Sequence, residues 1–218
     1  MRKRVDAHVN MQKIVPNVNA LYRGLWDFPE DHESVGFISC DVEDVMYFAL
    51  DDATKKARIH VVHVETVYGG VEKAWSRYGG EITAIISGPK VEDVRNGLMY
   101  IKDYIENKCG VYVINDDPST AFYVDLMPRI GKWNQERLGL PANSALAYLV
   151  ATPIEATYAL DKALKASNTK IVEFFDAPSR VNTGGALLAG SESACKAAVE
   201  AFADAVEFCY ANPMSLDS

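Results

Sequence analysis

Residues 35–62 read VGFISCDVEDVMYFALDDATKKARIHVV, and residues 146–172 read LAYLVATPIEATYALDKALKASNTKIV. The two runs share one plan. Asp51 and Asp161 lie 110 positions apart, and Lys55 and Lys165 keep the same offset. Each run is followed by a loop, a Gly-Gly pair (Gly79-Gly80 and Gly184-Gly185), an apolar strand and a second helix. A unit repeated at this size is a duplicated module, and two similar modules in one chain can occupy two places in a symmetric ring.

Within the first copy, residues 35–39 predict a strand. Val42, Val45, Met46, Ala49, Leu50 and Ala53 then recur at helical steps and form one buried stripe. Asp41, Glu43 and Asp44 occupy the first turn of that helix, where carboxylates cap and oppose the helix dipole. Residues 58–64 and 81–87 read as β-branched strands. Gly88-Pro89 opens a second helix with Val91, Val94, Leu98, Ile101 and Ile105 facing inward.

The second copy repeats the order. Thr152-Pro153-Ile154-Glu155 has the form of a capping box with proline at the first helical position. Ala156, Ala159, Leu160, Ala163 and Leu164 form the buried face. Residues 170–175 and 186–189 are the next strands. Ser191 caps a final helix lined by Ala194, Ala197, Ala198, Ala201, Phe202, Ala205 and Cys209, and so many alanines allow it to lie close to a sheet. Each copy therefore reads β-α-β-β-α. Segments of strand character precede both copies: residues 10–15, then 111–114 and 121–127 around the polar turn Asn115-Asp116-Asp117-Pro118. Residues 132–141 read as an irregular connection. A permuted module, with its closing strands moved to its front, has this layout.

The bulk numbers exclude several function classes. The chain has 218 residues, 49% apolar and 24% charged, which suits one or two globular domains. A formal net charge of -8 argues against nucleic-acid and anionic-membrane partners. The basic start Met1-Arg2-Lys3-Arg4 has no apolar stretch behind it and is not read as a secretory signal. No run approaches the ~18 apolar residues of a membrane span. Cys40, Cys109, Cys195 and Cys209 show no metal-type spacing, which fits a reduced, cytoplasmic protein.

Several blocks together resemble the tandem-domain shell proteins of bacterial microcompartments, of the ethanolamine-utilisation EutL type. They are Val18-Asn19 with Val35-Gly36-Phe37-Ile38-Ser39, Asp51-Asp52-Ala53-Thr54-Lys55, Tyr68-Gly69, Arg129-x-Gly131, Ala147-Tyr148-Leu149-Val150-Ala151, and Gly190-Ser191 to Lys196-Ala197-Ala198. EATYALDKALKASNTKIV resembles the core helix and strand of the shell domain itself. The resemblance implies an α/β fold (α+β, ferredoxin-like) of two circularly permuted shell domains, residues 1–108 and 109–218. It implies a structural protein without catalysis or cofactor, located in the microcompartment shell. It also implies a homotrimer that imitates a hexamer, other shell proteins as partners, and small molecules crossing through pores, one of them a loop-gated central pore.

By position in the domain, the pore loops are residues 65–79 and 176–183. The first carries Glu65, Tyr68, Gly69, Glu72, Lys73, Trp75, Arg77 and Tyr78, and the second Asp176, Ser179 and Arg180. Presented three times around an axis, such residues set a pore's potential and width. The glycines at 69, 70, 79, 80, 184 and 185 would let the loops hinge. Read without the resemblance, the same segments are solvated hairpin loops. The family's small pore within each subunit places acids at Glu43 and Glu81, suited to a small ammonium compound. Its other positions fall on Val111, Phe122, Val181 and Thr183. Phe122 keeps the family's ring. Val181, Thr183 and Val111 lack a hydroxyl and two rings, so the small pore serves another solute or is closed. Lys55 and Lys165 match the family's assembly-edge position, and otherwise read as solvated helix residues.

Two rival functions remain. Glu43 and Glu81 could form an amine-binding site of a sensor or carrier. An enzyme is disfavoured, since no nucleophile set, metal set, GxGxxG or GxxxxGK is present. His60 and His63 do not keep the two-residue step of one strand face and read as structural. Asn115-Asp116-Asp117 lacks the rest of a calcium loop and reads as a turn.

Overall fold

A computed structural model describes residues 1–67, 78–177 and 183–216. In chain order its strands are β1 (Arg2–Asp6), β2 (Val9–Val15), β3 (Ser34–Cys40), β4 (His60–Val67), β5 (Glu81–Gly88), β6 (Gly110–Ile114), β7 (Asp117–Met127), β8 (Ala145–Ala151), β9 (Lys170–Phe175) and β10 (Gly184–Gly190). Its helices are α1 (Ala20–Arg23), α2 (Glu43–Thr54), α3 (Val91–Asn107), α4 (Lys132–Leu138), α5 (Pro153–Ala166) and α6 (Glu192–Ala211).

The chain divides into two compact units that interleave along the sequence. The first contains Asp6–Gly110 and Gly131–Gly139, and the second Met1–Val5, Val111–Ile130 and Leu140–Ser218. The first unit carries a four-stranded sheet of order β2-β3-β5-β4. The second carries a six-stranded sheet of order β1-β6-β7-β8-β10-β9. Its last four strands repeat the first sheet, with β7, β8, β10 and β9 in the places of β2, β3, β5 and β4. The β-α-β-β-α reading is thus realised twice, as β3-α2-β4-β5-α3 and β8-α5-β9-β10-α6.

In the first unit, Val45, Met46, Ala49, Leu50 and Ala53 of α2 are buried, as are Val94, Leu98, Ile101 and Ile105 of α3. Strand periodicity sends Ile38, Cys40, Ile82, Ala84 and Ile86 to the same core. Gly36 lets α3 approach, since a Cβ there would meet Val94 Cγ1 at 2.7 Å. In the second unit, Ala156, Ala159 and Ala163 of α5 meet Ala198, Phe202 and Ala203 of α6 over Ala147, Leu149, Ala186 and Leu188. The small side chains bring the two helices close over the sheet, and Phe202 fills the space they leave.

Four local readings need correction. Residues 132–138 are a helix, not an irregular connection, and the helix is capped by a side chain outside its own segment, which local reading cannot see. Asp41 does not cap α2. Its carboxylate accepts the His8 backbone N–H at 2.7 Å, and Val42 occupies the N-cap position without a side-chain bond. Thr152 likewise caps no backbone group, because its hydroxyl donates to Glu155 Oε2 at 2.6 Å and meets Tyr210 Oη at 2.7 Å. A bulge between Val61 and His63 shifts the β4 register, so that His60 pairs with Ser87 and His63 with Ile85. Both histidines then share one sheet face. Ser191 does cap α6, accepting from the Ala194 N–H at 3.2 Å. The turn reading of Asn115-Asp116 is met by a two-residue hairpin between paired Ile114 and Asp117, with φ of 55° and 60° at its centre.

Candidate functional site

The first unit holds a buried carboxylate that the repeat disguises. Asp51 is fully buried on α2, and its two oxygens accept the backbone N–H groups of Gly131 (2.6 Å) and Asn134 (2.8 Å). These are orphan donors at the start of α4. Thr54 Oγ1 accepts the Lys132 N–H at 3.0 Å and donates to the Asp51 carbonyl at 2.7 Å. Tyr47 stacks on Trp133 (6.3 Å, 10°), and the Arg137 guanidinium lies 5.2 Å over the same indole. Burial pushes the Asp51 carboxyl above its ordinary value, against the lowering effect of its backbone bonds and Lys55. Gly131 is obligatory, because a Cβ would collide with the Asp51 carbonyl oxygen. The only sequence signal for this clasp is an acid beside the apolar stripe of α2 together with the glycine of Arg129-x-Gly131.

The matched position in the second unit is different. The Asp161 side chain is 55% exposed and pairs with Lys165 at 2.6 Å, itself 71% exposed. Lys55 is 20% exposed and bound to Asp52 at 3.2 Å, with Lys56 on the other oxygen of the same carboxylate. Burial raises the Asp52 carboxyl, and the two lysines outweigh it and hold it below its usual range. The matched lysines, Lys55 and Lys165, therefore present unequal chemistry.

Glu43 is the first residue of α2 and Glu81 the first of β5. Glu81 is 7% exposed, yet it lines an open groove of about 280 Å³ with Met11, Lys13, Phe37, Val67 and Thr83. Glu43 is not among the lining residues. Gly79 lies against the start of α2, where a Cβ would sit 3.6 Å from the Glu43 nitrogen. Val67 pairs with Glu81 at the root of the first loop. Tyr47 ties α2 to that root through Thr66, and burial together with Glu43 and Asp44 pushes its phenol upward. Glu65 is exposed, 3.9 Å from His63 Nε2. Tyr68, Gly69, Glu72, Lys73, Trp75 and Arg77 lie outside the described residues, as do Ser179, Arg180 and Val181.

In the second unit, Asp176 is exposed after β9 and Thr183 precedes β10. Phe122 is in the helix-side core and stacks on Tyr112 at 5.7 Å, while Val111 is buried. Gly184 and Gly185 are buried, and side chains there would strike Ala177 and the Leu149 carbonyl. Close approach, and φ of 151° at Gly185, account for this pair. Among the described residues no group of His, Cys, Asp and Glu is arranged to hold a metal, and no helix is long and apolar enough to cross a membrane.

Residues 34–116 match the BMC domain family. The chain is 42% identical over 202 residues to the bacterial microcompartment shell protein EutL of Clostridium perfringens, covering 93% of each chain. It is 37% identical over 206 residues to EutL of Escherichia coli, covering 94% of each. The crystal structure of the ethanolamine utilization protein EutL from Leptotrichia buccalis superposes with a TM-score of 0.90 at 42% identity, covering 98% of both chains. A doubled strand order, a doubled helix pair and end-to-end similarity agree: the chain belongs to the EutL family of bacterial microcompartment shell proteins, structural proteins and not enzymes.

Proposed function

We propose that this shell protein assembles as a homotrimer whose six domain copies imitate a hexamer, and that the loops between β4–β5 and β9–β10 gate a central pore for small molecules. As sequence repeats the domain copies fall in residues 1–108 and 109–218, with Met1–Val5 and Gly131–Gly139 belonging to the compact unit of the other copy. The observation that carries the reading is the same strand order twice in one chain, β2-β3-β5-β4 and β7-β8-β10-β9, with the two loops at equivalent places. Three copies would present each loop three times around one axis, and the unequal loops give that ring two kinds of lining. Glu65 and Asp176, both exposed at loop roots, contribute negative charge to it. The partners are other shell proteins, and the located role is the microcompartment shell.

Sedimentation velocity tests the assembly. A chain of 24.0 kDa should sediment as a species of three chains, about 72 kDa, and form layers when concentrated. A monomer at all concentrations would overturn the reading.

A second reading concerns the groove beside Glu81. A carboxylate that is buried yet lines an open groove suits a small ammonium solute. The relative from Leptotrichia buccalis is an ethanolamine utilization protein, so ethanolamine is the probe of choice. Calorimetric titration should show binding that is lost in Glu81→Gln; heat that is unchanged by this substitution would remove the site.

A further inference from the structure

Three of the chain's four histidines gather at one surface strap, His32 on the strap and His60 and His63 on the strand beneath it. The strap is residues 16–33, which leave β2, form α1 and return to β3. Its own bonds are internal: Arg23 donates to the carbonyls of Pro29 (3.1 Å) and Glu30 (2.6 Å), and the Val18 N–H to Glu33 at 2.8 Å. It is fastened to the sheet at four places. His32 Nδ1 lies 2.9 Å from Ser87 Oγ, and both residues are buried. The Glu33 N–H donates to the Gly88 carbonyl at 3.2 Å. Asp31 pairs with Arg58 at 2.5 Å. The Trp26 indole rests on the His63 ring at 5.2 Å. The β4 bulge is what turns His60 and His63 to this side, with His60 paired to the residue that His32 grips.

We propose that the strap is an acid-released latch, closed while His32 is neutral and opened when His32 takes a proton. Three cationic or protonatable groups face His32: His60 at the start of β4, Arg58 two residues before it, and Lys132 from α4. Asp31 on the strap is the opposing charge, 3.9 Å from Nε2 and half engaged by Arg58. Ser87 of β5 offers a hydroxyl and no charge. A proton on His32 would therefore sit in a dry site beside three cationic or protonatable groups. Burial above all lowers its affinity for that proton; Asp31 opposes this, and His60, Arg58 and Lys132 add to the lowering. A lowered imidazole means that the open form binds the proton better than the closed one. The latch is intact above the ordinary imidazole range near 6.5 and weakens as pH falls through it. The Trp26–His63 contact fastens the middle of the strap, and the His32–Ser87 contact fastens its return limb at Asp31–Glu33.

Hydrogen exchange between pH 7.5 and 5.0, corrected for the intrinsic rate, tests the latch. In the natural protein, amides 28–33 should lose up to about tenfold protection for each pH unit between 6.5 and the lower His32 midpoint and level off below that midpoint, while α3 stays protected. His32→Gln keeps a partner for Ser87 but cannot titrate, and its strap should not respond. Should that variant fold poorly, the His32 ring is followed by NMR in the natural protein, where a midpoint below 6.5 is expected. A midpoint at or above 6.5, an equal acid response in His32→Gln, or an unchanging strap in the natural protein would each overturn the proposal.

Discussion

Replacing Asp51 with alanine removes the acceptor of two backbone N–H groups at the start of α4, those of Gly131 and Asn134. Gly131 is buried, so water cannot freely replace the carboxylate. An unsatisfied buried donor costs about 1–3 kcal/mol, and loss of a helix cap about 0.5–2 kcal/mol. The two losses overlap, and relief of the buried charge offsets part of them. The expected net destabilisation is about 1–3 kcal/mol. Asp51→Asn keeps one acceptor oxygen and sheds the charge, so about half that loss is expected. Urea denaturation at fixed protein concentration, followed by tryptophan fluorescence to which Trp133 stacked on Tyr47 contributes, reads the loss. Asp161→Ala is the control, because that exposed side chain makes only a surface ion pair worth about 0–1 kcal/mol. If Asp51→Ala cost no more than Asp161→Ala, the clasp would not be what holds α4.

Gly131→Ala should match or exceed the Asp51→Ala loss, since its Cβ would strike the Asp51 carbonyl, and the same urea titration measures it. Gly185→Ala should leave little soluble protein, because φ of 151° is closed to alanine and its Cβ would strike the Leu149 carbonyl; soluble yield and melting temperature report the outcome. Burial pushes the Cys40 thiol up to about 12 and the Cys195 thiol up to about 11, so thiol titration of the native protein at pH 8 should leave both unmodified and find Cys209 first, with all four reacting after denaturation. Phe202→Ala empties the centre of the core under α5 and α6, with an expected cost of about 3–5 kcal/mol in the same denaturation assay.

The two copies were legible because a buried helix face and a buried strand each write their period directly into the chain. Val45, Met46, Ala49 and Leu50 could sit nowhere else, and Ala156, Ala159 and Ala163 told the same story. What escaped was set by contacts between distant residues. The helix at Lys132–Leu138 depends on Asp51, some eighty positions earlier. Asp51 and Asp161 look alike in the aligned copies, yet only the first has a helix end to bind. The bulge in β4 hid the shared face of His60 and His63, since no local residue type demands it. Gly184 and Gly185 were read as freedom to move, where the structure uses them for close contact with Ala177 and Leu149. Of the candidate pore residues, Glu81 falls in a groove, whereas Phe122 falls in a core that any sheet of this kind would need.

The interleaving of the two units has a consequence for the ancestry of such a chain. A cut near residue 108 would separate the repeats in the gene but not the folded bodies. The leading fragment would keep Asp51 and lose Gly131 and Asn134, leaving a carboxylate in the protein interior without its two backbone donors. The trailing fragment would lose β1 and bare the outer side of β6. Fusion has thus become irreversible by structure, since each module is now completed by a segment encoded in its neighbour's half. Scission alone would give two incomplete modules.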